Sequence, residues 1–472
     1  VAAAALGLLA LAIVGSWHLR VYFGRVSLDQ LWFHLEQGGL GGADPKTVWR
    51  GVRTALLWAL LTAGLVAGHQ RLRRGGRVLF WLVLLGATGL SLASTVKPGC
   101  DDADEGDFIA QHYVDPRSQT VIAPAQRPDL LLVYVESLDS AYAGRRAFGE
   151  PLVPQLAQWR AGQTRFGRLH MLDGASWTMA GLFSSLCGLP LQSVGLITAK
   201  STDRAERFFS DGQCLTDWLA ALGWEVSFYG GATLDFAGKG RFFAEHGVRR
   251  RFGREAWRAL GVPVPEEGWG LADTALAGQV IRQLAQPRVA QQPRASIVLT
   301  VNSHDPHGNP DPDCPTPEGL DDAGRLRTAL RCSDAAVVRL VNAFVQQRDG
   351  RPKVVWIMGD HLSKAHPLMP ELEAAAEVRP RGIFHVVGRW DANGQHLPTP
   401  PPAQDRQFTH LDVAPTLAQL LGLRWSPHGD RVGLGQSLVA EPPAPTLMEQ
   451  RGLQPLNRRL SCPSPQFADL WT

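Results

Sequence analysis

The chain has 472 residues, 45% hydrophobic and 19% charged, with 49 Gly, 33 Pro and six Cys. This composition excludes a disordered tail, a collagen-like chain and a small disulfide scaffold, and at about 100–200 residues per domain the length allows roughly two to four domains. The net charge of +3 is unevenly placed: residues 1–94 hold nine Lys/Arg and three Asp/Glu, a net of +6, which leaves the rest at −3. A nucleic-acid binder shows the reverse, a basic folded domain, so no nucleic-acid partner is expected.

Three uncharged stretches open the chain: residues 1–17 (VAAAALGLLALAIVGSW), 54–68 (TALLWALLTAGLVAG) and 78–96 (VLFWLVLLGATGLSLASTV). A helix needs about 20 apolar residues to cross about 30 Å of hydrocarbon, so the third spans unaided and the first two span with flanks such as Trp49 and Val52. The first stretch has neither a basic lead nor a small-x-small cleavage site, which favours a span over a secretory segment. The sequence begins at Val1 without Met, leaving room for a further helix upstream. Arg71, Arg73, Arg74 and Arg77 crowd the short loop between spans two and three, and the positive-inside bias makes that loop cytoplasmic. Residues 18–53 and everything after Lys97 then face outward. Val26–Gly38 fits either an interfacial amphipathic helix or a plain connecting one.

The cysteines, Cys100, Cys187, Cys214, Cys314, Cys332 and Cys462, show no CxxC or Cys/His metal spacing. An even count in an oxidising exterior reads as disulfides, with Cys187–Cys214 and Cys314–Cys332 the favoured local pairs.

After the transmembrane region, 1–96, residues 97–128 read as a polar, Pro-containing linker with an acidic run at Asp101–Asp107. Short apolar runs then alternate with helical stretches: Leu130–Val135, Val226–Tyr229, Ser296–Val301, Val354–Met358 and Ile383–Val387. Such near-continuous apolar strands between helices predict an α/β fold with a parallel-rich sheet covered on both faces. Pro398–Pro402 reads as a surface loop.

In such sheets chemistry gathers at the carboxyl ends of strands. The first run ends in Glu136, a carboxylate that on its own is more often a cap or surface residue than a functional one. The fourth ends in Gly359-Asp360-His361, a hard oxygen and an imidazole after a residue that lets the backbone turn closely. The third ends in Asn302-Ser303-His304-Asp305-Pro306-His307, a polar cluster whose unpartnered burial would cost several kcal/mol, which predicts a rim position. Between the first two runs, Gly174-Ala175-Ser176-Trp177-Thr178 precedes an apolar helical stretch ending at Cys187-Gly188. A hydroxyl at a helix amino end is either an ordinary N-cap or a group placed where positive potential favours an alkoxide or a phosphate. The pattern Met179, Leu182, Phe183, Leu186 starts the helix at Thr178.

Taken together, Glu136, Thr178 and Asp360-His361 resemble the metal and nucleophile set of the alkaline phosphatase superfamily. More closely, LLLVYVESLDSAY, WTMAGLFSSLCGLPL, FYGGATLDFAGKGRFFAEHGV, LTVNSHDPHG and IMGDHLS, in that order, resemble the phosphoglycerol transferase I family that modifies osmoregulated periplasmic glucans, with lipoteichoic acid synthase more distant. The segment His410–Leu417 (HLDVAPTL) is similar to the one before the final helix of sulfatase-like domains. The resemblance covers about residues 100–440. It implies an alkaline phosphatase-like (sulfatase-like) catalytic domain at 129–440, followed by a C-terminal extension at 441–472. Two departures stand out: Ala175 occupies a position where several relatives carry Thr, leaving Thr178 or Ser176 to supply the hydroxyl, and the chain stops soon after Cys462 where other members continue.

The resemblance further implies an enzyme of the bacterial inner membrane with its catalytic domain in the periplasm. Glu136, Thr178, Asp360 and His361 would hold one divalent cation, Mn²⁺ or Zn²⁺, and Thr178 would take phosphoglycerol from phosphatidylglycerol and pass it to a periplasmic glucan. His304 and His307 would contact the phosphate, with His304 protonating a leaving oxygen; Gly230, Gly231, Phe236 and Lys239 would line the pocket. The alternatives are a phosphoethanolamine transferase or sulfatase-like phosphodiesterase on the same metal site, and a catalytically inactive membrane protein that binds glycan or lipid. No Cys-x-Pro-x-Arg sulfatase nucleophile occurs in the sequence.

Overall fold

The computed structural model describes all residues except 1, 24–44, 96–99, 101–105, 193–206, 267, 290–291, 305–306, 365, 399–404 and 472. Val26–Gly38 therefore lies outside the described residues. Three helices, α1 (Ala2–Phe23), α2 (Pro45–Arg71) and α3 (Arg74–Thr95), are each long and apolar enough to cross a membrane. Their outward faces carry Leu8, Leu60, Leu82 and Leu90, all well exposed, as a hydrocarbon-facing surface requires. Polar groups turn inward: Ser16 meets Ser91 at 2.6 Å, and the Trp58 indole donates to the Gly7 carbonyl at 2.8 Å.

The globular part is built on a seven-stranded sheet of β1 (Asp129–Val135), β2 (Glu225–Gly230), β3 (Arg250–Phe252), β4 (Arg294–Leu299), β5 (Lys353–Gly359), β6 (His385–Trp390) and β7 (His396–Leu397), in spatial order β3-β2-β4-β1-β5-β6-β7. The first five strands in that order run parallel, β6 runs against β5, and β7 runs against β6. The α/β fold with a parallel-rich sheet is thus present. The fifth apolar run differs in detail: Ile383 makes bridges to Asp139 and Leu169, and the strand proper begins at His385 and runs against its neighbour.

Side-chain alternation places a core on each face. Leu130, Leu132 and Tyr134 join one cluster, and Leu131, Val133 and Val135 the other. The first cluster takes the apolar face of helix α4 (Thr178–Cys187), through Met179, Leu182, Phe183 and Leu186; the second takes helix α5 (Asp322–Val345), through Leu326, Leu330, Val337 and Phe344. Double coverage explains why these strands are apolar throughout rather than alternating.

The flanking segments are built into this body. Within 97–128, Asp107 caps helix Phe108–His112, accepting from the Ala110 amide at 3.0 Å, Phe108 and Ile109 are buried, and Thr120–Ile122 pairs with Arg424–Ser426. Within 441–472, Phe467 and Trp471 pack among Phe183, Phe208 and Phe209. Disulfides join Cys187 to Cys214 and Cys314 to Cys332, the two local pairs expected, and Cys100 to Cys462.

Candidate active site

Val135 and Gly359 face each other in the β1–β5 register, so the residues that follow them, Glu136 and Asp360, leave adjacent parallel strands side by side. This is the sheet end where α/β folds concentrate their chemistry. Gly359 allows the approach, since a Cβ there would overlap the carbonyl oxygen of Leu138. The turn after Glu136 puts Ser137 at φ 54°, a left-handed conformation that a non-glycine residue holds only when its surroundings demand it. The demand is visible: the Ser137 amide donates to Asp360 Oδ1 at 2.8 Å and its hydroxyl to Glu136 Oε1 at 2.7 Å.

His361 completes the group. Its Nε2 lies 3.3 Å from Glu136 Oε1 and 3.6 Å from Asp360 Oδ2, while Nδ1 donates to the Leu362 carbonyl at 2.9 Å. That bond commits Nδ1 as the donor and leaves Nε2 as the atom facing the carboxylates. Thr178 begins α4, after Trp177 in extended conformation at the N-cap without a side-chain cap, and its hydroxyl points to Glu136 Oε2 at 3.4 Å. Gly181, one turn on, seats the helix against the chain at Asp360, where a Cβ would overlap the Asp360 carbonyl oxygen.

Glu136, Asp360 and His361 are all buried. Burial alone would raise Glu136, but His304 and His361 outweigh it and hold this carboxyl below the ordinary range. Asp360 is raised, by burial first and then by the Glu136 charge. Burial opposes protonation of His361, yet Asp360 and Glu136 carry it up to about 9. Without a cation, the proton on His361 offsets part of the charge of the two buried carboxylates.

The donor set fits a divalent cation. One ligand atom from each of Glu136, Asp360 and His361 lies within 4.8 Å of the others, and Asp360 Oδ2 is buried with no hydrogen-bond partner among the described residues. An orphaned carboxylate oxygen facing an imidazole nitrogen and a second carboxylate is what an oxygen- and nitrogen-coordinated ion needs. A second group, Cys214, Asp217 and His246, does not fit: Cys214 is in a disulfide, and Asp217 is occupied by the Cys214 amide and His246 Nδ1, each at 2.8 Å.

A pocket opens beside Thr178, lined among others by Glu136, Phe236, Lys239, Trp269 and His304. The Trp269 and His304 rings lie 4.0 Å apart. Lys239 is 5% exposed; burial lowers its pKa to about 8 against the opposing pull of Glu136 and Asp360. The His304 segment is held from below, with the Ser303 hydroxyl donating to the Glu136 carbonyl at 2.6 Å and Asp273 Oδ1 accepting the Val301 amide at 2.8 Å.

Other expected site residues are placed differently. His307 pairs with Asp322 at 3.0 Å, at the start of α5, and is not among the residues lining this pocket. Gly230 and Gly231 lie behind the wall: the Trp257 indole donates to the Gly230 carbonyl at 2.9 Å, and a Cβ on Gly231 would overlap the Leu271 carbonyl. Ser176 is buried before the helix starts, away from the pocket lining. Sequence reasoning missed Ser137, Gly181, Trp269 and His410. His410 Nε2 donates to the Asp360 carbonyl at 2.7 Å, and burial lowers its pKa to about 4, so it is a neutral donor to the Asp360 turn. Two of them carried a signal: Gly181, a glycine three residues after Thr178 on the buried face of a helix, and His410, which opens the HLDVAPTL segment, although its bond to Asp360 was not legible there.

Comparison with known proteins gives the family and the fold. The curated phosphoglycerol transferase I of Xanthomonas campestris pv. campestris is 30% identical over 393 residues, which are 82% of this chain and 54% of that protein. The same protein from Xanthomonas euvesicatoria pv. vesicatoria is 28% identical with the same shares. The chain thus spans about half the length of the curated relatives it matches. Among solved structures, the integral membrane protein lipooligosaccharide phosphoethanolamine transferase A of Neisseria meningitidis superposes with TM-score 0.52 at 16% identity, covering 88% of this chain and 84% of that one, a likeness of fold. The family model described as Sulfatase matches residues 128–423, the stretch that holds Glu136, Thr178, Asp360 and His361, and the chain belongs to that family.

Proposed function

We propose that the chain is a phosphotransferase anchored in the bacterial inner membrane, moving phosphoglycerol from phosphatidylglycerol to a periplasmic glucan through a covalent intermediate on Thr178. The observation that carries the reading is that Thr178 Oγ1 points to Glu136, which gathers with Asp360 and His361 at one sheet end, with Asp360 Oδ2 lacking a hydrogen-bond partner among the described residues. A divalent cation, Mn²⁺ or Zn²⁺, held by these four residues would lower the threonine pKa and neutralise phosphoryl oxygens.

The chain's own groups supply the rest. Thr178 attacks phosphorus as its alkoxide, the form in which it also leaves in the second step; the bond to the diacylglycerol oxygen breaks, and His304 gives that oxygen a proton. A glucan hydroxyl then attacks the phosphothreonine while His304 takes its proton, and Thr178 leaves. Lys239 places a point charge on the phosphoryl oxygens from within the pocket wall, and Phe236 and Trp269 exclude water. The Arg71–Arg77 loop supports an orientation with α3 leading outward, and three disulfides suit an oxidising compartment.

Incubation with labelled phosphatidylglycerol and a glucan tests the reading. Diacylglycerol should appear in step with phosphoglycerol on the glucan. Transfer of ethanolamine from phosphatidylethanolamine instead would move the chain to the other transferase class, and release of glycerol phosphate to water alone would make it a phosphodiesterase.

A further inference from the structure

A second cleft shares no lining residue with the Thr178 pocket. Six arginines line it, Arg146, Arg160, Arg165, Arg168, Arg379 and Arg381, and no lysine does. Asp139 is the carboxylate in its wall, and it is taken by Arg381, whose Nε donates to Oδ2 at 2.7 Å. Arg160 reaches the Ser140 hydroxyl at 3.4 Å and lies over the Phe384 ring at 4.8 Å, neither of which offsets its charge. Arg146, Arg165, Arg168 and Arg379 have no ion-pair partner among the described residues. The crowding is felt: burial, then Arg165 and Arg379, lower the Arg160 pKa to about 10, and Arg379 adds to burial at Arg168.

The partly buried Arg160 and Arg168 and the exposed Arg146, Arg165 and Arg379 line one cleft without an ion-pair partner among the described residues, and the repulsion felt at Arg160 and Arg168 is a cost that a bound polyanion removes. The choice of arginine throughout favours planar, two-point contact with phosphate oxygens over simple charge attraction. The cleft is also tied to the active-site loops. Asp139 follows Glu136 by three residues, and Arg381 Nη2 donates at 2.7 Å to the carbonyl of Ser363, two residues after His361. The recess, floored by Gly382, Ile383 and His385, suits a flexible chain that can enter it better than a flat lipid surface.

We propose that this cleft binds phosphate groups carried on a glycan chain, holding an already substituted acceptor while a further site on it reaches Thr178. The glycan part rests on the acceptor class proposed above; the phosphate part does not.

The test titrates the full chain in detergent micelles with a glucan bearing phosphoglycerol, the same glucan unsubstituted, and sodium tripolyphosphate. The substituted glucan should bind about tenfold or more tighter than the plain one, with the advantage shrinking as salt rises. Tripolyphosphate should compete. Arg165→Gln/Arg168→Gln/Arg379→Gln should abolish both effects while leaving acceptor-free diacylglycerol release unchanged. If the triple variant does not fold, the surface pair Arg165→Gln/Arg379→Gln should still show a partial loss. Equal binding of the two glucans together with no tripolyphosphate binding would overturn the proposal, as would variants that bind both anionic probes like the parent. Variants that keep both probes but bind less phosphatidylglycerol from mixed micelles than the parent would overturn it in favour of a lipid headgroup. A parent that never releases diacylglycerol sinks the transfer reading, while the tripolyphosphate comparison still decides the cleft.

Discussion

Gly181 of helix α4 lies so close to the main-chain carbonyl oxygen of Asp360 that no side chain fits between them. The helix that presents Thr178 and the strand end that presents Asp360 are therefore one rigid assembly, and their spacing is fixed by backbone rather than by adjustable side chains.

Gly181→Ala should accordingly separate the two. Forcing a methyl group into this contact should cost about 1–3 kcal/mol of stability, as overpacking does, and a shift of about 1 Å at the reacting atoms is enough for about a hundredfold loss of turnover. Thermal melts and steady-state rates check it; a variant with parental rates would show that the helix can move without consequence.

Thr178→Ala should lose essentially all turnover and still bind metal through Glu136, Asp360 and His361, whereas Ser176→Ala should keep most of its rate. Mass spectrometry of protein trapped with donor and no acceptor should find the adduct on the Trp177-Thr178 peptide. An adduct on Ser176 would reverse the assignment.

Metal affinity should rise with pH. In the metal-free protein His361 holds its proton up to about 9, and a cation must displace it, so the dissociation constant should increase about tenfold for each unit below that value. The stability effect has the opposite sign without metal. A folded-state pKa above the unfolded value stabilises fully below about 6.5 and is lost as pH rises through about 9. The gain in melting temperature on adding Zn²⁺ or Mn²⁺ should therefore grow from pH 6.5 to 9, and a flat profile would remove His361 from the site.

Lys239→Met should raise KM for an anionic donor by about tenfold or more and lower kcat less, as expected for a charge that binds phosphate without exchanging protons. Because burial sets the Lys239 pKa near 8, the parental KM should climb above pH 8 and the variant's should not.

Much of this was legible in the chain because strand ends announce themselves. LLLVYV running into Glu136 and VVWIM running into Gly-Asp-His placed both carboxylates at the sheet rim, and the apolar spacing after Thr178 fixed the first residue of its helix. Two kinds of information were not legible. One is which atoms approach across the fold: Gly231 lies against Leu271, and His307 is drawn to Asp322 rather than to the pocket, through contacts that no local pattern encodes. The other is support, as at Ser137 and His410, where an ordinary residue type acquires its role from a hydrogen bond to Asp360.

Cys100 stands just past the end of the third membrane-length helix and is bonded to Cys462, across 362 residues of chain. Segments far apart along the globular stretch are thereby joined at a residue that closely follows the third membrane-length helix in sequence. A protease that cuts an exposed loop anywhere between them opens the ring without freeing either half, so a nicked molecule keeps its whole catalytic domain at the membrane. For a cut outside the loops closed by Cys187–Cys214 and Cys314–Cys332, covalent release needs a second event, reduction of the Cys100–Cys462 bond, and denaturing gels run with and without reductant after limited proteolysis should differ accordingly.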